Sequence, residues 1–387
     1  MSSEPYPPAA RVAAVPAPSR QRWADVAKGV CIVLVVLWHV IVKHYLRIDW
    51  HLGVPLPGVW GTIGEQLLPL RMPLFFTISG LFASNAVDRP WRQVGRSRIA
   101  RFLYLYAGWL LIHTVLLAAA PDFPTDRASS VTGLLAELTV SPSNLWYLHA
   151  LALYFAVAKL GRRIPAPILI AAAAGLSAAS TAGLLATAGN RAGVYQNLVF
   201  FLGGLHLRPY LSRWVTTATR RRLLGTAAGY LAALGAMAWA GAQGWPGVWL
   251  LVSVAAVAFG LTAAARLARW PWVADPLAAL GRRTLPVYVL HLPLLALADR
   301  VLLGPLSGLG RSGQFALALG YPILLTSALL AVTLALHRGL LALRAGWMFD
   351  LPAPRPAGRR RRRGSDRRDG EVPARRLADA VPQGWRG

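Results

Sequence analysis

The sequence predicts an all-α integral membrane protein, a polytopic bundle of about ten transmembrane helices. Three observations carry that prediction. Of 387 residues, 55% are hydrophobic and 14% charged, with a mean hydropathy of +0.45, too apolar for a water-soluble domain of this size. The apolar residues gather into stretches near the roughly 20 residues that cross a hydrocarbon layer. The basic residues fall between those stretches in alternation, crowded on one side and sparse on the other.

Taken in order, residues 1–21 are rich in Pro and Ala with no separate apolar core. They read as a disordered cytosolic segment, so the first span acts as an uncleaved signal-anchor. The expected spans are 27–46, 66–87, 100–120, 144–160, 166–187, 195–210, 222–242, 246–268, 284–302 and 314–345, within a membrane domain of residues 22–348. Residues 349–387 turn to Pro, Gly and Arg and read as a disordered basic tail that rests on anionic lipid.

The formal net charge of +26 does not point to nucleic acid, because its placement has another cause. Arg92, Arg96, Arg98 and Arg101 follow the second span, Arg162 and Arg163 the fourth, Arg220 to Arg222 the sixth, and Arg282 and Arg283 lie between the eighth and ninth. The opposite loops hold few, such as Arg47, Arg127, Arg191 and Arg311. This positive-inside pattern puts both termini in the cytosol of a plasma-membrane protein. The lone Cys31 excludes an internal disulfide and a multi-cysteine metal site, and no metal is expected.

Chemistry is concentrated in RWADVAKGVCIVLVVLWHV, residues 22–40. At 100° per residue, the 11 steps from Lys28 to His39 make almost three turns, so both lie on one face about 16.5 Å apart. Asp25 and Arg22 precede Lys28 at successive three-residue intervals and share that stripe. With Lys28 at the cytosolic boundary, His39 falls near the midplane, where an ionisable side chain marks a functional site by default. A neutral histidine bonded between helices is the simpler alternative. The same two readings apply to His149 in SNLWYLHALALYF and His291 in TLPVYVLHLP, and to His113 and His206.

The basic-x10-His spacing of Lys28 and His39 resembles the first-span signature of the membrane-bound acyltransferase-three family, and WADVAKGVCIVLVVLWHV is similar to its fucose 4-O-acetylase-like branch. RMPLFFTISG, residues 71–80, resembles the family's FFxxSG element on Phe75, Phe76, Ser79 and Gly80. SRIARFLYLY resembles its RxxR motif on Arg98 and Arg101, although Tyr104 stands where the family often has proline. LWYLHALALYF, FFLGGLHLR and GRRTLPVYVLHLP are similar to later segments, so the resemblance covers roughly residues 20–340.

The resemblance implies an O-acyltransferase that moves an acyl group, usually acetyl, from cytosolic acyl-coenzyme A to a hydroxyl of a carbohydrate, cell-surface glycan or other small acceptor. Acyl-coenzyme A is then a co-substrate, and no permanently bound cofactor is expected. Some members carry an extracytoplasmic esterase-like domain, which no soluble segment here is long enough to form. His39 is the candidate general base, since imidazole titrates close to neutral pH. Ser79 is a candidate oxyanion donor. Lys28, Arg98 and Arg101 are candidates for the coenzyme phosphates, with Asp25 orienting Lys28 or Arg22. Phe76, Gly80, Trp146, His149 and His291 remain open between substrate contact and structural support. A transporter or flippase of glycan or polar cargo would use the same histidines as relays. The acceptor is not legible in the sequence.

Overall fold

In a computed structural model, residues 21–187 and 191–352 are described. The readings of residues 1–20 and of the arginine-rich tail lie outside them. All regular elements among the described residues are helical. Each of the ten expected stretches falls on a helix, and these are numbered α1 Arg22–Lys43, α2 Leu68–Leu81, α3 Arg101–Ala118, α4 Trp146–Leu160, α5 Ala166–Thr181, α6 Leu198–His206, α7 Arg220–Trp239, α8 Val248–Leu267, α9 Thr284–Ser307 and α10 Arg311–Ala342.

Five of the ten, α1, α3, α8, α9 and α10, are long and apolar enough to cross a membrane. The other stretches are shorter or less apolar than a full span. Proline is one cause: Pro69 opens α2, and a separate helix, Leu56–Gln66, precedes it across Leu67. The stretch 195–210 is broken at Asn197 between Ala192–Gln196 and α6. Helix α7 has 20 residues but begins with three arginines.

Helix α1 is the axis of the fold and packs against α2, α8, α9, α10 and the short helix Pro271–Gly281. Glycine makes the closest of these approaches possible. A Cβ on Gly29 would overlap the Leu277 carbonyl, and one on Gly281 would overlap the Asp25 carbonyl. Helices α2 and α6 cross in the same reciprocal way, Gly80 against the Phe201 carbonyl and Gly204 against the Thr77 carbonyl. Such crossings let backbones touch where lipid supplies no hydrophobic drive for helix association.

Pro293 and Pro322, both inside spanning helices, each leave a carbonyl without its helical donor, and in both cases another element repairs it. Pro293 in α9 cannot donate to Val289, four residues earlier, and His113 Nε2 of α3 donates there instead at 2.7 Å. Pro322 in α10 leaves the Ala318 carbonyl, which accepts from Tyr45 Oη at 2.8 Å and Trp60 Nε1 at 3.0 Å. His113 is therefore accounted for by backbone repair.

At the C-terminal end of α1, Asp299 of α9 is 4% exposed. Its carboxylate accepts from His44 Nδ1 at 2.8 Å and from Arg47 at 2.5 Å, while His44 Nε2 meets Tyr321 Oη of α10 at 2.7 Å. This buried ionic cluster ties α1, α9 and α10 together.

Candidate active site

Two cavities open on either side of one constriction. The first, about 300 Å³, lies beside the N-terminal half of α1 and the second, about 390 Å³, beside its C-terminal half. Val35, Met72 and Tyr288 line both.

The first cavity collects cations. Lys28, Arg98, Arg101 and Arg282 line it together with Asp25. Arg98 belongs to a π-helical turn, Gly95–Ala100, that runs directly into α3 at Arg101. One helical turn therefore turns both guanidinium groups toward the cavity. The Lys28 ammonium sits 4.6 Å from the centre of the Phe82 ring, and the Arg98 guanidinium 5.6 Å from that of Phe155. Arg101 pairs with Asp350 at 2.8 Å. Arg22 pairs across to Asp275 at 2.5 Å, a partner from the Pro271–Gly281 helix that the ladder along α1 does not supply.

His39 lines the second cavity, not the first. Its Nδ1 lies 2.8 Å from the Val35 carbonyl oxygen, an atom that can only accept, so Nδ1 carries the proton. His291 is arranged alike, with Nδ1 2.9 Å from the Val287 carbonyl, and this leaves its Nε2 bare. That bare nitrogen lies 3.3 Å from His39 Nδ1 and at most shares the proton that Nδ1 gives to the nearer Val35 carbonyl. The Val35 contact sets the tautomer and the His291 contacts are compatible with it: neutral His39 presents an unprotonated Nε2, the form a proton acceptor requires. Pocket-facing and half-buried, it is the imidazole best placed for base chemistry.

The remaining sequence candidates separate. Ser79 lines the first cavity, where its hydroxyl donates to the Phe75 carbonyl at 2.9 Å and lies 3.2 Å from Tyr147 Oη. It does not share a cavity with His39. Phe76 is fully buried and packs on Trp146, Tyr147 and Tyr154, and Gly80 belongs to the α2 and α6 crossing. Trp146 lines the second cavity. His149 lines neither cavity and stands against Tyr106 with ring centres 5.5 Å apart.

Sequence reasoning missed several lining residues. Arg71, 5% exposed, stacks on Trp38 with its guanidinium 4.2 Å from the ring centre. Lys43 reaches the Pro124 carbonyl at 2.5 Å, and Arg191 pairs with Asp126 and donates to the Pro142 carbonyl at 2.6 Å. Tyr288 joins the constriction to the loop by donating to the Asn144 carbonyl at 3.0 Å. Arg71 carried a legible signal, a permanent charge inside an apolar run; the loop residues carried none.

Comparison with known proteins agrees with this architecture. Inner membrane protein YcfT of Escherichia coli (strain K12) is 29% identical over 164 residues, which are 38% of this chain and 46% of that protein. The chain thus spans about half the length of the curated relative it matches. No solved structure matches. The family model described as an acyltransferase domain matches residues 21–337, nearly the whole described fold, and the chain belongs to that family of membrane acyltransferases.

Proposed function

We propose that the protein transfers an acyl group, acetyl above all, from acyl-coenzyme A to a hydroxyl of a carbohydrate or other small acceptor. The observation that carries this reading is the pair of cavities, one cationic and one holding His39 with a bare Nε2, that meet at Val35, Met72 and Tyr288. Lys28, Arg98, Arg101 and Arg282 suit the coenzyme's phosphates, since guanidinium and ammonium groups make charge-assisted bonds to phosphate oxygens. The thioester then extends toward the constriction, and the acceptor enters from the His39 side.

In the reaction, His39 Nε2 takes the proton of the acceptor hydroxyl as its oxygen attacks the thioester carbonyl. The carbon–sulfur bond breaks, an oxygen ester forms, and the histidinium proton passes to the departing coenzyme thiolate. Balance requires no further reactant. Tyr147 Oη, 3.2 Å from Ser79 Oγ on the wall of the first cavity, is the hydroxyl placed to turn toward the transient oxyanion, while the Tyr288 hydroxyl stays on the Asn144 carbonyl. The positive-inside distribution supports cytosolic termini in the plasma membrane, which puts the cationic cavity on the side where acyl-coenzyme A is made.

Kinetics on the donor test the assignment. Arg98→Gln and Arg101→Gln should each raise the KM for acetyl-coenzyme A about 10-fold or more while kcat changes little, because a phosphate contact is equally strong in the ground and transition states. Unchanged donor KM in both variants would return these arginines to a purely topological role.

A further inference from the structure

The second cavity carries a charge that acyl transfer alone does not require. Arg71 is 95% buried in the interior of α2, yet no carboxylate among the described residues lies within ion-pair distance of it, and its Nε is buried without a hydrogen-bond partner. Its neighbour on the cavity wall, Lys43, is met by the Pro124 carbonyl and by no carboxylate among the described residues. Among the described residues the one carboxylate lining the cavity, Asp126, is taken by Arg191. Three cations against one carboxylate leave an excess of two positive charges. A buried charge without a counter-ion is costly, and such groups are ordinarily paired. Topology does not explain these cations either, since they lie toward the opposite end of α1 from the arginine-rich connections, the end where the positive-inside rule asks for fewest.

The rest of the wall suits a sugar. Trp38, Trp146 and Trp249 offer broad faces, and Gln196 offers an amide group for hydroxyls. Arg71 covers one face of Trp38, its guanidinium 4.2 Å from the ring centre, and its buried Nε has no protein partner on the cavity wall.

We infer that the acceptor is an acidic carbohydrate whose anionic group, a carboxylate or a phosphate, is held by Arg71 and Lys43 while its hydroxyl faces His39. The inference rests on the transferase reading and adds the substrate class to it. The shared chemistry is a fixed negative charge beside a pyranose ring; a uronate and a sugar phosphate are its two sources.

The test uses the full chain purified in detergent and methyl glycosides of gluco, galacto and manno configuration, each as the neutral sugar, the uronate and the 6-phosphate. Calorimetric titration reads binding, and thiol release from acetyl-coenzyme A reads transfer in the same samples. At least one acidic member should bind about 10- to 100-fold more tightly than its neutral counterpart, as expected for a charge-assisted contact. The uronate and phosphate arms identify which anion is preferred. In Arg71→Gln this preference should collapse, the loss falling on the acidic member, whereas Arg71→Lys should keep part of it. Lys43→Gln, at the cavity margin, should weaken the acidic member as well and covers the case in which Arg71→Gln does not fold. Equal binding of neutral and acidic members, no binding by any acidic member, or an acid preference that survives in Arg71→Gln and Lys43→Gln would overturn the inference. A kcat loss in Arg71→Gln shared by all acceptors would do so too, since it would make Arg71 a transition-state group. Thiol release without acid preference removes the acidic acceptor and leaves the transferase. Acid binding without thiol release keeps the anionic site and removes the transferase.

Discussion

His39→Gln is expected to lower transfer by about 10²- to 10⁴-fold, the range for losing a positioned acid or base, while donor binding and thermal stability in detergent stay near those of the parent protein. Glutamine has similar reach and can still donate to the Val35 carbonyl, so the packing of α1 is preserved. What it lacks is a nitrogen lone pair that accepts a proton at neutral pH. His291→Gln gives the contrast. His291 packs against His39 through the 3.3 Å contact but does not line either cavity. Because the Val35 carbonyl still holds His39 Nδ1, its loss should cost only about 10-fold, a positioning effect. Steady-state kinetics of both variants, with donor KM measured separately, check the pair. Near-normal kcat in folded His39→Gln would make His39 a structural histidine.

Asp299→Ala should produce the largest loss of stability. The carboxylate is buried and satisfies both His44 and Arg47. Its removal leaves the Arg47 charge and a buried imidazole nitrogen without their acceptor, and breaking such a buried pair costs about 3–5 kcal/mol. Asp299→Asn retains one acceptor oxygen and should lose less. The readout is the thermal midpoint in detergent, with kcat per folded molecule as a control. That kcat should hold, since the cluster lines neither cavity. A midpoint unchanged in Asp299→Ala would show that solvent reaches the cluster and replaces the carboxylate.

The placement of Lys28 and His39 on one helical stripe was legible because helical periodicity is a local property. The structure refines it: the stripe runs past a constriction, so the two residues serve different cavities. The apolar stretches were legible as helices, but length alone did not show where Pro69 or Asn197 divides them. Gly29 and Gly281 meet only because two helices far apart in sequence cross there. The same holds for His113, whose role depends on a carbonyl orphaned by a proline in another helix. Arg191 and Asp126 looked like ordinary loop charges, and only the fold brings them to the wall of the His39 cavity. Tertiary proximity between loops and spans has no periodic signature in the chain.

The proposed reaction forms an oxygen ester from a thioester at His39. The most direct measurement incubates membranes bearing the full chain with acetyl-coenzyme A carrying a radioactive acetyl group and with the carbohydrate pool of the same cells. Alkali-labile label should appear in carbohydrate, accompanied by an equal amount of free coenzyme thiol, and both should fall to background in membranes bearing His39→Gln. No ester with either form, together with uptake of unmodified sugar into sealed vesicles by the parent protein alone, would rule out ester formation at His39 and identify a transporter instead.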